Sequence, residues 1–251
     1  MSESYAVLAE IYDILNAEID YDLWADYIEA CFNRYQKRKI ELVLDLACGT
    51  GKMSTALATR GYDMIGIDIS ENMLSYARQR AEEEGIDNLL LLCQDMRNFE
   101  LYGTVDAVVC CLDGINHLTE NGDLAQCLAS IHNYLVPGGL FVFDVNSPYK
   151  FEKIYADNAY IFEGDNFYCG WQNYYNPKSR LCDFYISVFT PDNKGGYTRA
   201  DAHQRERMYT ERALKTSLTK AGFELLCLSG GYDFSPPAEV CERFYITARR
   251  I

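Results

Sequence analysis

Two kinds of apolar pattern alternate along the first 146 residues of the chain. Unbroken apolar runs at Leu42–Leu46, Asp63–Ile67, Leu89–Gln94, Val105–Cys110 and Leu140–Val145 lack polar alternation, as strands buried on both faces of a parallel sheet do. Between them apolar residues recur at helical spacing: Met53, Ala56 and Leu57 before Gly61; Met73, Leu74, Ala77 and Ala81 between a capping Ser70 and Gly85; Leu124, Leu128, Ile131 and Leu135 from Asn121 to the stop at Pro137-Gly138-Gly139. Strands joined in this way predict a parallel sheet with right-handed crossovers, Leu42–Leu46 at its centre. Ahead of it residues 4–35 read as two helices, with Tyr5, Leu8, Ile11, Tyr12 and Leu15 on one face of the first and Leu23, Tyr27, Ala30 and Cys31 marking the second.

After Val145 the pattern changes. Tyr160-Ile161-Phe162, Phe167–Tyr175, a turn at Asn176–Arg180 and the alternating Cys182, Phe184, Ile186 and Val188 predict an antiparallel hairpin, with a further strand near Gln204–Tyr209. A helix carrying Leu214, Leu218 and Ala221 then stops at Gly222. The last strands, Phe223–Leu228 and Phe244–Ala248, flank Ser235-Pro236-Pro237, which cannot house a helical crossover, so they run antiparallel. The fold class is α/β, with a seven-stranded, doubly wound, mostly parallel sheet closed by an antiparallel C-terminal hairpin. Residues 1–146 and 210–251 form the core, residues 1–40 being its helical cover, and residues 147–209 an inserted antiparallel β lid.

The candidate chemistry lies at the end of the first strand. Asp45-Leu46-Ala47-Cys48-Gly49-Thr50-Gly51 joins strand to helix through glycines that leave main chain bare to a ligand. The second strand ends in Asp68, placed where a carboxylate accepts both hydroxyls of a ribose. Together these read as a nucleoside-cofactor site. A dinucleotide turn wants a third glycine or alanine where this chain has Ser54, and an all-parallel dinucleotide fold lacks the closing hairpin, so an NAD-dependent oxidoreductase is the weaker reading.

The Asp45–Gly51 stretch resembles the first motif of the class I methyltransferases that use S-adenosyl-L-methionine (SAM). The resemblance implies that Asp45 and the Ala47, Cys48, Gly49, Thr50 and Gly51 main chain hold the methionyl part, that Asp68 takes the ribose, and that Ile69 belongs to the cofactor site. It further implies that Met73 floors the adenine, that Asp95 and Met96 read its edge, and that Leu112 covers it. Asn116 and His117 then reach the methionyl or acceptor side, and Tyr12 and Trp24 belong to an N-terminal cover over the methionyl end. For Met73 an ordinary core role stands beside this one, for Asp95 a solvated loop acid, and for His117 a hydrogen-bonding cap. Loops beyond strand carboxyl ends face the site in open α/β sheets, which makes His117 the candidate base should the acceptor need one.

Composition narrows the partners. With 37 acidic against 23 basic residues and a net charge of −14, a broad phosphate-binding surface is disfavoured. The ten cysteines form no C-x-x-C pair, so neither a metal site nor a disulfide framework is expected, and the longest aliphatic run is too short for a bilayer. A cytoplasmic enzyme with no membrane partner, able to assemble as a homodimer, follows. Its function is methyl transfer to an O, N or C atom of a small-molecule acceptor. Asn146, Trp171, Tyr174 and Arg205 are the acceptor candidates, with Tyr168 and His203 also on lid strands whose parity admits about half of them to the cleft. The alternatives are an RNA or tRNA methyltransferase, using a basic strip of Lys178, Arg180, Arg199, Arg205 and Arg207, and a SAM-binding protein without transfer activity.

Overall fold

The computed structural model describes residues 12, 13, 15–164, 166–192 and 194–251; Tyr5, Leu8 and Ile11, assigned to the first helix, lie outside them. In chain order the elements are α1 (Tyr21–Tyr35), β1 (Leu42–Leu46), α2 (Lys52–Ala58), β2 (Asp63–Asp68), α3 (Glu71–Glu83), β3 (Leu89–Cys93), β4 (Val105–Cys110), α4 (Asp123–Tyr134) and β5 (Leu135–Asn146). There follow β6 (Ala159–Gly164), β7 (Phe167–Asn176), β8 (Leu181–Pro191), β9 (Tyr197–Arg207), α5 (Glu211–Lys220), β10 (Phe223–Ser229) and β11 (Arg243–Arg250). One sheet has the order β10-β11-β5-β4-β1-β2-β3, parallel from β5 to β3 and closed by antiparallel β11 and β10.

Both faces of that sheet are covered, which is why its strands read as continuous apolar runs. From β1, Leu44 and Leu46 enter the core shared with Val108, Ile131, Leu214, Leu218 and Ile246. Val43 faces the other way, onto Ile28, Phe32, Met53 and Leu57. Each such aliphatic residue, fully buried, contributes roughly 1.5–3 kcal/mol of transfer free energy. β1 sits one place off the centre, which β4 occupies. β3 is an edge strand, not a buried one, and leaves Leu90 more than half exposed.

Two boundaries and one helix face differ from the pattern. Helix α4 stops at Tyr134, and β5 begins at Leu135, pairing with Val105. The Pro137-Gly138 pair then sits where the register with β4 shifts, an irregularity that accommodates a residue without an N–H. In α1, Leu23 is exposed and the buried face is Trp24, Tyr27, Ile28 and Cys31. Strand β9 begins at Tyr197, well before Gln204, because pairing with β8 holds even its charged positions in the ladder.

The second sheet, β6-β7-β8-β9, is antiparallel throughout and enters between β5 and α5. Its inner face carries Cys169, Cys182, Phe184, Ile186, Val188 and Ala202, packed on Phe151. Phe151 lies in a wide helical turn, Lys150–Tyr155, directly after β5. That turn therefore brings the inner face over the carboxyl ends of the parallel strands.

Candidate active site

A cleft of about 300 Å³ lies between those strand ends and the inserted sheet. Its floor is the β1–α2 turn. Gly51 has φ +78, and a Cβ there would stand 2.8 Å from that of Ala77, so only glycine lets α2 and α3 approach this closely. At Gly49, with φ +55, an added Cβ would meet nothing nearer than the Tyr12 ring at 4.0 Å. Its N–H donates to Asp68 Oδ2 at 2.9 Å, and Asp68 Oδ1 accepts from the Ser70 N–H at 2.8 Å. Asp68 is thereby fixed between the turn and the start of α3, and burial raises its pKa against these bonds. Asp45 accepts from Ser54 Oγ at 2.6 Å, and burial pushes it up to about 7. Ser54, the residue that departs from the dinucleotide pattern, thus orients an acid of the cleft.

The N-terminal segment is clasped to this turn. Asp13 accepts from Thr50 Oγ1 at 2.7 Å and pairs with Arg80 and Lys52. Tyr12, Asn16, Tyr21 and Lys52 all line the cleft beside the methionyl candidates.

At the far end the β4 loop carries two consecutive non-glycine residues in the left-handed region, Leu112 (φ 56) and Asp113 (φ 55). This costs on the order of 1–2 kcal/mol per residue and persists only where surroundings hold it. Here Asp113 N–H donates to Asp144 Oδ2 at 3.0 Å, and Arg243 bridges Asp113, at 2.9 Å, and the fully buried Asp144. Arg243 holds Asp113 below the usual carboxylate range against its burial, while burial pushes Asp144 up to about 6. His117 follows in a 3₁₀ turn, its ring bonded to the Arg205 main chain and its pKa lowered by burial. Asp113, His117 and Glu206 bring one side-chain ligand atom each within 4.8 Å of one another.

Of the sequence candidates, Tyr12, Asp45, Ala47, Cys48, Gly49, Thr50, Asp68, Ile69, Met73, Asp95, Met96, Leu112, His117 and Trp171 all line the cleft. Asp95 does so with both oxygens on Arg97, which lowers its pKa. The structure does not bring Trp24 there: it is buried against Tyr232 and Tyr245 in the layer beneath. Asn116 is a strut, accepting from Asn146 N–H at 2.9 Å and donating to the Arg207 carbonyl at 2.8 Å. Asn146 stands one layer behind the wall, donating to Glu206 Oε2 and Tyr155 Oη and accepting from Lys150 Nζ. Tyr174, Arg205, Tyr168 and His203 lie on the outer face of the inserted sheet, where Asp183 pairs with both His203 and Arg205.

Sequence reasoning missed Asp113, Lys150, Tyr155, Glu206 and Arg243, all in the cleft wall. Asp113 lies in the same loop as the candidates Leu112, Asn116 and His117; the other four sit in no local motif. For Glu206 the available signal was parity, since it lies opposite Cys182 and so shares its inward face.

A parallel sheet with a glycine turn and an acid at the end of the next strand defines a nucleoside-cofactor protein. A methyltransferase-domain family model matches residues 43–139. YqeM of Bacillus subtilis (strain 168), which carries a methyltransferase name, is 31% identical over 247 residues, covering 98% of this chain and 97% of its own. The crystal structure of an S-adenosylmethionine-dependent methyltransferase from Clostridium acetobutylicum ATCC 824 superimposes with a TM-score of 0.87 at 30% identity, covering 98% of each chain. A dTDP-3-amino-3,4,6-trideoxy-alpha-D-glucopyranose N,N-dimethyltransferase of Streptomyces venezuelae is 31% identical over 151 residues, 59% of this chain and 60% of that protein. The chain belongs to the S-adenosylmethionine-dependent methyltransferases, and its cofactor is SAM. Among the described residues no helix is long and apolar enough to cross a membrane.

Proposed function

We propose that this enzyme methylates a nucleophilic atom of a small molecule enclosed between the sheet's carboxyl edge and residues 147–209, which act as a lid and set acceptor choice. The observation that carries this is a single cleft running from Asp45 and Asp68 to Trp171, Gln204 and Glu206 on the inserted sheet. Asp68 suits the ribose, Met73 and Met96 the adenine, and Asp45, Tyr12, Lys52 and the bare main chain at Gly49 the amino-acid end. When bound, SAM supplies an electrophilic methyl group, so the chain need only position donor and acceptor and exclude water. The Streptomyces venezuelae relative, by its name, acts on a small amino sugar nucleotide.

The basic strip of the RNA reading is largely spent within the protein: Arg199 pairs with Asp201, Arg205 with Asp183, and Arg207 donates to the Thr119 carbonyl. Cytoplasmic residence is supported by ten cysteines without a disulfide, and a homodimer by the exposed Tyr168, Tyr174 and Tyr185 on the lid's outer face; light scattering that gives a monomer mass removes the latter. The functional reading is tested by incubating the enzyme with methyl-labelled SAM and either a metabolite extract or bulk RNA. Label is expected in the small-molecule fraction; label confined to RNA, or SAM binding with no transfer to either pool, overturns it.

A further inference from the structure

Resting on the small-molecule reading above, we propose that the acceptor presents an amine, seated as its ammonium among Asp113, His117 and Glu206, and that Glu206 removes its proton before the nitrogen is methylated. Three atoms no more than 4.8 Å apart leave a common point no more than about 2.8 Å from each, hydrogen-bond distance for an N–H donor. Three donors of one ammonium match three acceptors. Glu206 is 5% exposed and lines the cleft, its Oε2 accepts from Asn146 Nδ2 at 2.9 Å, and among the described residues no cation stands within ion-pair distance of it.

Charge balance separates this ligand from a metal. Arg243 is shared by Asp113 and Asp144, and Lys150, the other cation of the cluster, donates to Asn146 Oδ1. Two cations therefore offset two aspartates, and Glu206 is the acid left over. An ionised Glu206 with one univalent ammonium keeps the site neutral, whereas a divalent ion leaves a positive charge beside Arg243 and Lys150. Trp171 in the same wall adds an aromatic ring, while the Tyr155 ring already carries Lys150 Nζ 5.3 Å from its centroid.

The groups facing Glu206 are Asp113 and His117 from the β4 loop, Asn146 from β5, Lys150 and Tyr155 from the wide turn, Cys182 from β8 and Arg243 from β11. In that setting burial pushes its carboxyl up to about 8. A carboxyl raised in this way takes the proton of an alkylammonium of pKa about 10 over a smaller gap than the roughly six units that separate it from an ordinary glutamate. His117, whose basicity burial lowers, is the poorer acceptor and completes the seat. In the step the ammonium N–H bond breaks, its electron pair stays on nitrogen, and an O–H bond forms on Glu206; that proton stays on the carboxyl when the product leaves and passes to solvent as the next ammonium binds.

The test is calorimetry with ethylammonium chloride on the full chain saturated with S-adenosylhomocysteine, at pH 7 in two buffers of different ionisation heat. Binding is expected to release up to one proton, as Glu206 ionises to match the cation. Glu206→Gln is expected to abolish that release and weaken binding at least tenfold with S-adenosylhomocysteine affinity unchanged, and ethanol is expected not to bind. No detectable binding, binding without proton release, or Zn²⁺ or Mn²⁺ binding in place of ethylammonium overturns the proposal. The wild-type titration decides even should the variant fail to fold. Label reaching only hydroxyl metabolites overturns this inference alone, while label reaching only RNA overturns the function it rests on.

Discussion

Glu206 makes a prediction that needs no acceptor and no turnover. Its carboxyl is raised from an ordinary 4.5 to about 8 in the folded chain. A group raised on folding contributes stability that is fully present below its unfolded pKa and is lost as pH rises through the folded value. Between pH 6 and pH 9 the unfolded chain keeps this carboxyl ionised while the folded chain must give up its proton. The loss over that window is about 2–3 kcal/mol. Gln fills the same volume, can still accept from Asn146 Nδ2, and has nothing to titrate. The stability of Glu206→Gln relative to wild type should therefore rise by that amount from pH 6 to pH 9. Urea unfolding followed by tryptophan fluorescence at both pH values measures it, and the remaining titrations, common to both chains, cancel in the difference. A difference flat within about 0.5 kcal/mol would refute the assignment of a protonated, buried Glu206.

The other predictions probe the rest of the cleft. Arg243→Met should destabilise the fold by about 3–5 kcal/mol in urea at pH 7, since it leaves Asp113 and Asp144 without their shared cation and Asp144 Oδ1 already has no partner; a loss below about 1 kcal/mol would mean the pair is held otherwise. Gly51→Val places a β-branched residue at φ +78 against Ala77 and should cost at least about 2 kcal/mol of stability by the same assay. Asp68→Ala frees the Gly49 and Ser70 N–H groups and should weaken S-adenosylhomocysteine binding at least about tenfold by calorimetry, near 1.4 kcal/mol. Trp24→Leu, in contrast, should lower the unfolding midpoint yet leave that affinity within about twofold, because its ring packs on Tyr232 and Tyr245 and not on the cleft.

What could be read from the sequence was local. The unbroken run Leu42–Leu46 and the turn after it carry their own periodicity and glycine chemistry, so the strand, the helix and the bare main chain between them are legible within a dozen or so residues. Pro137-Gly138-Gly139 misleads because the same residues serve as a helix stop or as a strand irregularity, and only the pairing of Leu135 with Val105 chooses. Trp24 misleads for a related reason: a tryptophan on an amphipathic helix is equally apolar whether it meets a ligand or a tyrosine. Nothing near Arg243 in sequence announces Asp113, since the ion pair closes a separation of 130 residues.

The inserted sheet shows where a longer reach was nonetheless available. Along β9 both faces are polar near the site, Arg205 and His203 outward, Gln204 and Glu206 inward, so alternation within the strand cannot tell them apart. On β8 it can, because Cys182, Phe184, Ile186 and Val188 are apolar and Asp183, Tyr185 and Ser187 stand between them. Directly opposed residues of antiparallel strands share a face. Cys182 opposes Glu206 and Phe184 opposes Gln204 on one side; Phe184 opposes Asn173 and Ile186 opposes Trp171 on the other. The apolar stripe of one strand therefore dictates which polar residues of its two neighbours enter the cleft, and a single-residue slip of β9 would exchange Glu206 for Arg205. Such a slip would put a guanidinium beside Lys150 and Arg243 and send the acid to solvent, so the register of β8 on β9 holds both the inserted sheet's core and the charge of the cleft wall.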